Sequence, residues 1–433
     1  MRAMSRMLPF VLMGLLAAAS GHPASAQAPY PTKFSAAIAA RADVKQALGY
    51  LDTHFDAQVS EWIMLTEIPG TSGHEQKRAE YVKAELVKLG LAPETDTLGN
   101  VWARRPGTGG GPTVVFAAHM DTVHPLDTPL KVRRDDNGTL HAPGIFDNTA
   151  SVANQLQTLR AMREAKIETK GDLVFLFTVQ EEVGLKGMYH WLEKHPGVTD
   201  MLVAVDGGLG AVNYGALGIY WSRMKFSGAG AHTLNSRDQP NTVRAAAECI
   251  TNIYKIPLPP ADDPVPAIYN VGGMLTGGNV VNAIPQEVTF TVDLRTVDAG
   301  LIQTLDGAIV STCEEAASAH KVAFTREWIQ KSEAGGRPEQ LAAQRAHPLV
   351  QTAVDVLRFL DVPLPAGREA IPTGSTDANA GVVAKIPAIS VGRSRGGGGH
   401  TLQEWAHIDS AKTGAQQLVL LAVALAEPGR SRP

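Results

Sequence analysis

Three short apolar runs in this chain each lead directly to an acid or a histidine and a fourth leads to one through a loop, and that regularity constrains the fold more than any other feature. Val114–Ala118 runs into His119-Met120-Asp121. Leu173–Val179 runs into Glu181-Glu182. Met201–Val205 runs into Asp206-Gly207-Gly208, and Ile386–Val391 leads through a glycine-rich loop to His400. Runs of such residues read as buried strands, and helical patterns separate them: Glu75–Leu89, Ser151–Lys166, Gly187–Lys194, Pro348–Leu360, Asp377–Val383 and Ser410–Ala424. Apolar strands alternating with helices imply an α/β fold with a parallel or mixed sheet covered on both faces; the mixed-sheet form is the one expected here. In open sheets of this kind the carboxyl ends of the strands line one crevice, where ligands bind.

Taken singly, each chemical signal has a bland reading. His119-x-Asp121 can be a histidine bonded to a nearby carboxylate. Asp147, in GIFDNTAS, reads as the N-cap of the following helix. Asp206-Gly-Gly reads as a turn, and His400 as a loop residue. Glu181-Glu182 could be a solvated loop, although adjacent carboxylates beside a core are costly unless a cation meets them. Their recurrence at successive strand ends favours one shared cleft.

The pattern changes after Leu217. Ile219–Ser227, Thr242–Ile256, Val271–Thr276, Glu287–Arg295, Ala299–Ala319 and Val322–Trp328 read in the order β-α-β-β-α-β, a ferredoxin-like α+β module. The expected organisation is a leader at 1–26, a first catalytic part at 27–216, an inserted lid at 217–330 and a second catalytic part at 331–433. The stretch 330–345 reads as polar.

The leader assignment rests on Arg2 and Arg6, the apolar stretch LPFVLMGLLAAAS and an A-x-A cleavage pattern ending at Ala26. It implies a secreted or periplasmic protein with no membrane association after cleavage. A formal net charge of −4 without a basic run gives no reason to expect a nucleic-acid partner. Neither Cys249 nor Cys313 sits in a metal-binding spacing. Export permits a bridge between them, and their helices would lie side by side, but two buried free thiols are the expectation.

His119-x-Asp121, Gly144-x-x-Asp147-Asn148, Glu181-Glu182, Asp206-Gly-Gly, Gly374-Ser-Thr-Asp-Ala-Asn379 and the late His400 together resemble the di-zinc exopeptidase family of carboxypeptidase G, peptidase T, aminoacylase and succinyl-diaminopimelate desuccinylase. The resemblance spans about 55–425. It implies two Zn²⁺ per chain, replaceable by Co²⁺ or Mn²⁺ at such ligands. One would bind His119 and Asp206, the other Glu182 and His400, with Asp147 between them. Asp121 would orient His119. Glu181 would be the general base, and successive side chains of an extended segment would point Glu182 at metal and Glu181 at water.

From the lid, the resemblance implies that His232 meets the developing oxyanion, often from the partner subunit of a homodimer, and that Asn282 and Arg295 hold the substrate's polar groups. Gly374 would let the substrate backbone approach. One departure is Thr149, where many relatives carry a basic residue. The implied function is an exported metallo-exopeptidase acting on small peptides, aminopeptidase- or tripeptidase-like. The alternatives are a carboxypeptidase or N-acyl-amino-acid amidohydrolase and, from another class, a catalytically inactive binding protein.

Overall fold

The computed structural model describes residues 30–428 except positions 211, 261, 262 and 264. The expected leader at 1–26 lies outside the described residues. Strict alternation of side chains along buried strands builds the central layer. In Val114–His119, Phe116 and Ala118 join the core on one face of the sheet while Val115 and Ala117 join the core on the other. Phe175 and Phe177 against Val174 and Leu176, and Val203 against Leu202, repeat that division. Both faces are therefore apolar, and both are covered.

The sheet has seven strands, in the spatial order Glu94–Thr95, Val101–Arg105, Leu173–Thr178, Val114–His119, Met201–Val205, Ala388–Val391, Val212–Asn213. The middle four run parallel, and their neighbours on either side are antiparallel. Helices Thr149–Glu164 and Asp409–Leu425 pack together on one face. Trp191 of Lys186–Lys194 and Ala378 and Ala380 of Ala378–Val383 close the other. Parallel order aims four strand ends the same way, so His119, Glu181-Glu182, Asp206 and the segment after Val391 emerge on one edge.

The inserted segment forms its own antiparallel sheet, Ala267–Thr276, Glu287–Thr296, Gly218–Ser227, Ala323–Ser332. Helices Thr242–Ile253 and Ala299–Ala319 cover one face around a separate core that includes Phe226 and Phe290. The chain order is the β-α-β-β-α-β read from sequence. Its last strand runs to Ser332, past the expected limit at 330.

One reading needs correction, and two elements were not read from sequence. Cys249 and Cys313 are not free thiols: they form a disulfide between the two helices of the inserted segment, with Cα atoms 4.8 Å apart. The polar stretch ends in a helix not read from sequence, Pro338–Ala346, opened by proline at its first turn. A further four-stranded sheet joins Arg133–Arg134, Thr139–His141, Trp405–His407 and Arg395–Gly397. These strands are two or three residues long, too short for a periodic signal.

Candidate metal centre

His119 ends its strand and is buried. Its Nε2 lies 3.2 Å from Asp147 Oδ1 and 3.6 Å from Asp206 Oδ2. On the other side of Asp147, Oδ2 lies 3.4 Å from His400 Nε2, which also approaches Glu182 Oε2 at 3.1 Å. Two candidate triads result, His119–Asp147–Asp206 and Asp147–Glu182–His400, each with ligand atoms within 4.8 Å of one another. Asp147 belongs to both. All five residues expected to bind metal are thus together.

The Glu181-Glu182 pair arrives differently from expectation. The strand ends at Thr178, and Gln180 turns the chain with a φ of 53°. Asp121 then accepts hydrogen bonds from the amides of Glu181 (3.0 Å) and Glu182 (3.1 Å). Both carboxylates face the cluster rather than opposite sides of an extended segment. Glu181 also shares a candidate group with His119 and Glu182, so proximity alone does not divide roles between the two glutamates. Asp121 stands 3.4 Å from His119 Nδ1 and accepts from Ser72 Oγ at 2.7 Å. It holds the imidazole and the glutamate turn at once.

Asp147 is not the N-cap of the next helix. Asn148 holds that position, and its side chain makes no capping bond. The loop carrying Asp147 is clamped instead by buried Glu404, which accepts from the amides of Gly144, Phe146 and Asp147 at 2.6–2.8 Å. Burial pushes the Glu404 carboxyl up to about 7, against the pull of those amides. Thr149 is buried and bonds Gly144 O and Thr66. The cation beside Asp147 comes from elsewhere: Arg393, 1% exposed, reaches Asp147 at 3.0 Å and forms a shorter ion pair with Asp206. Neither Glu404 nor Arg393 was singled out from sequence. Arg393's position just after an apolar strand, in VGRSRGGGGH, was the available signal.

The electrostatics describe a cluster short of positive charge. Burial pushes the Glu181 carboxyl well above its ordinary value, against the pull of His119 and with help from Asp206 and Glu182. Burial opposes a charged His119, yet Glu181, Asp121, Asp147 and Asp206 outweigh it and hold the imidazole well above the ordinary histidine value. Glu182 Oε1 is buried with no hydrogen-bond partner among the described residues. Protons held by crowded carboxylates and imidazoles, and a carboxylate oxygen left over, are what divalent cations replace. Histidine and carboxylate donors with room for water suit zinc. The residues present therefore fit a pair of metal ions.

One cleft joins these groups to the inserted module, whose Ile219, Trp221, Arg295, Gln330 and Ser332 form the facing wall. Arg295 is held by Asp293 through Nε and Nη2, each at 3.0 Å at its shortest, and stacks 5.7 Å from the Trp221 ring centroid. Three expected residues do not line this cleft. Gly374 lies where a side chain would meet Asn213 and Gly215, while its neighbour Ser375 reaches the cleft. His232 and Asn282 bond each other at 3.1 Å on the small ribbon Ala231–His232/Ala283–Ile284. His124, set aside as structural, is buried with Nε2 3.5 Å from Glu404.

Comparison with known proteins follows this geometry. Residues 115–424 match the model of peptidase family M20/M25/M40. Carboxypeptidase G2 of Pseudomonas sp. (strain RS-16) is 24% identical over 323 residues, 73% of each chain. A tripeptidase of Staphylococcus aureus superposes with a TM-score of 0.69 at 22% identity, covering 86% of this chain and 98% of that one. A dinuclear metal-binding peptidase of Bacillus subtilis superposes at 0.65 with 16% identity, over 87% and 99%.

Proposed function

Because the chain belongs to peptidase family M20/M25/M40, we propose that it is a dinuclear zinc exopeptidase that hydrolyses a terminal amide bond of small peptides, in the manner of an aminopeptidase or tripeptidase. One observation carries the reading: two candidate triads share Asp147 beneath a cleft that also holds Glu181. When bound, two divalent cations would supply Lewis acidity to the scissile carbonyl and bring the pKa of a water toward roughly 7. His119 and Asp206 would hold one, Glu182 and His400 the other, and Asp147 both. Glu181 receives the proton of the attacking water and delivers it to the departing amine nitrogen. Its burial keeps that proton inside the cleft. Asp121 fixes the turn from which Glu181 acts.

A second reading is favoured by Arg295. Asp293 engages its Nε and Nη2 but not its Nη1, and the side chain lines the cleft. A guanidinium there suits a substrate's free carboxylate, as a carboxypeptidase or N-acyl-amino-acid amidohydrolase requires. His232 and Asn282 lie off the cleft of their own chain, so an oxyanion role for His232 needs a second copy. A homodimer through the lid is proposed on that ground. Export is proposed on the leader-like N-terminus and supported by the Cys249–Cys313 bridge.

The test is a matched panel: a tripeptide, its N-acetyl form and its C-amide form, given to the chain after chelation and zinc refilling, with products read by mass. Release of the N-terminal residue from the free and amidated forms establishes the aminopeptidase. Cleavage of the acetylated but not the amidated form establishes the second reading. Failure to cleave any member rejects both.

A further inference from the structure

Arg393 is the charge that the proposed chemistry leaves unused. It follows the strand Ala388–Val391 and cannot swing away. Its amide donates to Gly207 O at 3.1 Å, its carbonyl accepts from Asn154 at 2.8 Å, and the Phe146 ring lies 4.2 Å from the guanidinium. The side chain is buried. Its two terminal nitrogens engage Oδ1 of Asp147 and Oδ1 of Asp206.

These contacts fall unevenly on the two triads. In His119–Asp147–Asp206, two of the three candidate ligands face Arg393: Asp206 accepts a hydrogen bond from it, and Asp147 Oδ1 lies at ion-pair distance, 3.0 Å. In Asp147–Glu182–His400 only the shared aspartate does, and Glu182 and His400 face each other instead. A guanidinium stays charged at every working pH. It therefore repels any cation at the first triad from close range in a buried site, where such repulsion is poorly screened.

We propose that Arg393 makes the two metal positions unequal, so that Asp147–Glu182–His400 fills first and tightly while His119–Asp147–Asp206 takes the second ion weakly. Arg393 is a positioning residue in this scheme. It keeps Asp147 and Asp206 ionised and in place when the second ion is absent. The occupancy of the second position then follows the metal supply outside the protein. This rests on the dinuclear reading above, and the experiment separates the two.

The test strips the full chain with chelator and titrates it with Zn²⁺, and separately with Co²⁺, by calorimetry. Bound metal is counted by mass spectrometry after gel filtration. The wild type is expected to bind in two steps more than about tenfold apart in affinity. Arg393→Met should tighten the weaker step by at least about tenfold and close the gap, whereas Arg393→Lys, which keeps the charge, should retain it. Two indistinguishable steps in the wild type overturn the inference, and that titration needs no variant to fold. An unchanged gap in Arg393→Met, with native melting behaviour in the loaded state, overturns it as well. If the wild type binds no divalent ion at all, the dinuclear reading itself fails.

Discussion

At the scale of single residues, the proposed function assigns the carboxylates separate tasks. Glu181→Gln should leave metal content unchanged and lower turnover by roughly 10²- to 10⁴-fold, the loss expected of a general base. Loss of metal in that variant would mean that Glu181 and Glu182 exchange the roles assigned to them. Asp121→Asn replaces an acceptor of two backbone amides with a group that presents an amide of its own. It should weaken metal binding about 10- to 100-fold, as loss of such supporting groups does, measurable by competition with a chromophoric chelator. Strand-end residues of the site were legible because each follows an apolar run that announces itself. Arg393 and Glu404 were not, because neither has a periodic signature and their partners lie far away in sequence: 187 residues separate Arg393 from Asp206. The division between Glu181 and Glu182 was misread as alternation along a strand, because nothing in FTVQEEVG shows that Gln180 turns the backbone.

At the scale of elements, two staples outside the site hold its scaffold. Arg160, on Thr149–Glu164, binds Glu61 on Phe55–Glu67 at 2.5 and 2.7 Å and Glu85 on Gln76–Lys88 at 2.7 Å. Glu61 and Glu85 are nearly buried. Arg160→Met removes the cation that the two share, while Lys88 still pairs Glu85 and Tyr81 and Gln157 still donate to Glu61, and should cost about 1–3 kcal/mol in urea unfolding. Burial raises the Glu85 carboxyl, but Lys88 and Arg160 outweigh it and hold it below its ordinary value. A carboxyl depressed in the folded state stabilises above its unfolded value, near 4.3, and loses that stabilisation as pH falls through the folded value. The wild type should therefore weaken in acid below about pH 4.3, and Arg160→Met should show a smaller share of that slope. In the lid, Cys249→Ser should cost roughly 2–4 kcal/mol, read as a lower unfolding midpoint that reducing agent reproduces in the wild type. The lid helices were legible as helices. Their bridge was not, because spacing along the chain does not show that two cysteines on different helices come within 4.8 Å between Cα atoms.

At the scale of the whole molecule, catalytic groups and the proposed substrate groups sit on different bodies of structure. The candidate metal ligands lie at the ends of the parallel strands and on the loops of Asp147 and His400, and the inserted antiparallel sheet supplies Trp221 and Arg295. In the proposed function substrate recognition depends on how the two walls meet, whereas every candidate metal ligand lies outside the inserted segment. Arg295→Ala should raise KM for substrates with a free carboxylate and leave metal content untouched. The proposed homodimer would be seen by sedimentation as twice the chain mass. A monomer that hydrolyses peptides at full rate would remove His232 from the mechanism. The fold class was readable because hydrophobic alternation and strand-helix order are local signals; the meeting of the two walls is a long-range packing outcome and is not.

The account stands on two divalent ions working with Glu181. The most direct measurement follows tripeptide hydrolysis and bound zinc together while chelated protein is refilled, in the wild type and in Glu181→Gln. The account predicts activity that vanishes with the metal, returns fully only as the second ion per chain is bound, and stays absent in a Glu181→Gln protein that holds the same two ions. Full activity in the stripped protein, or equal activity in the variant, would contradict it.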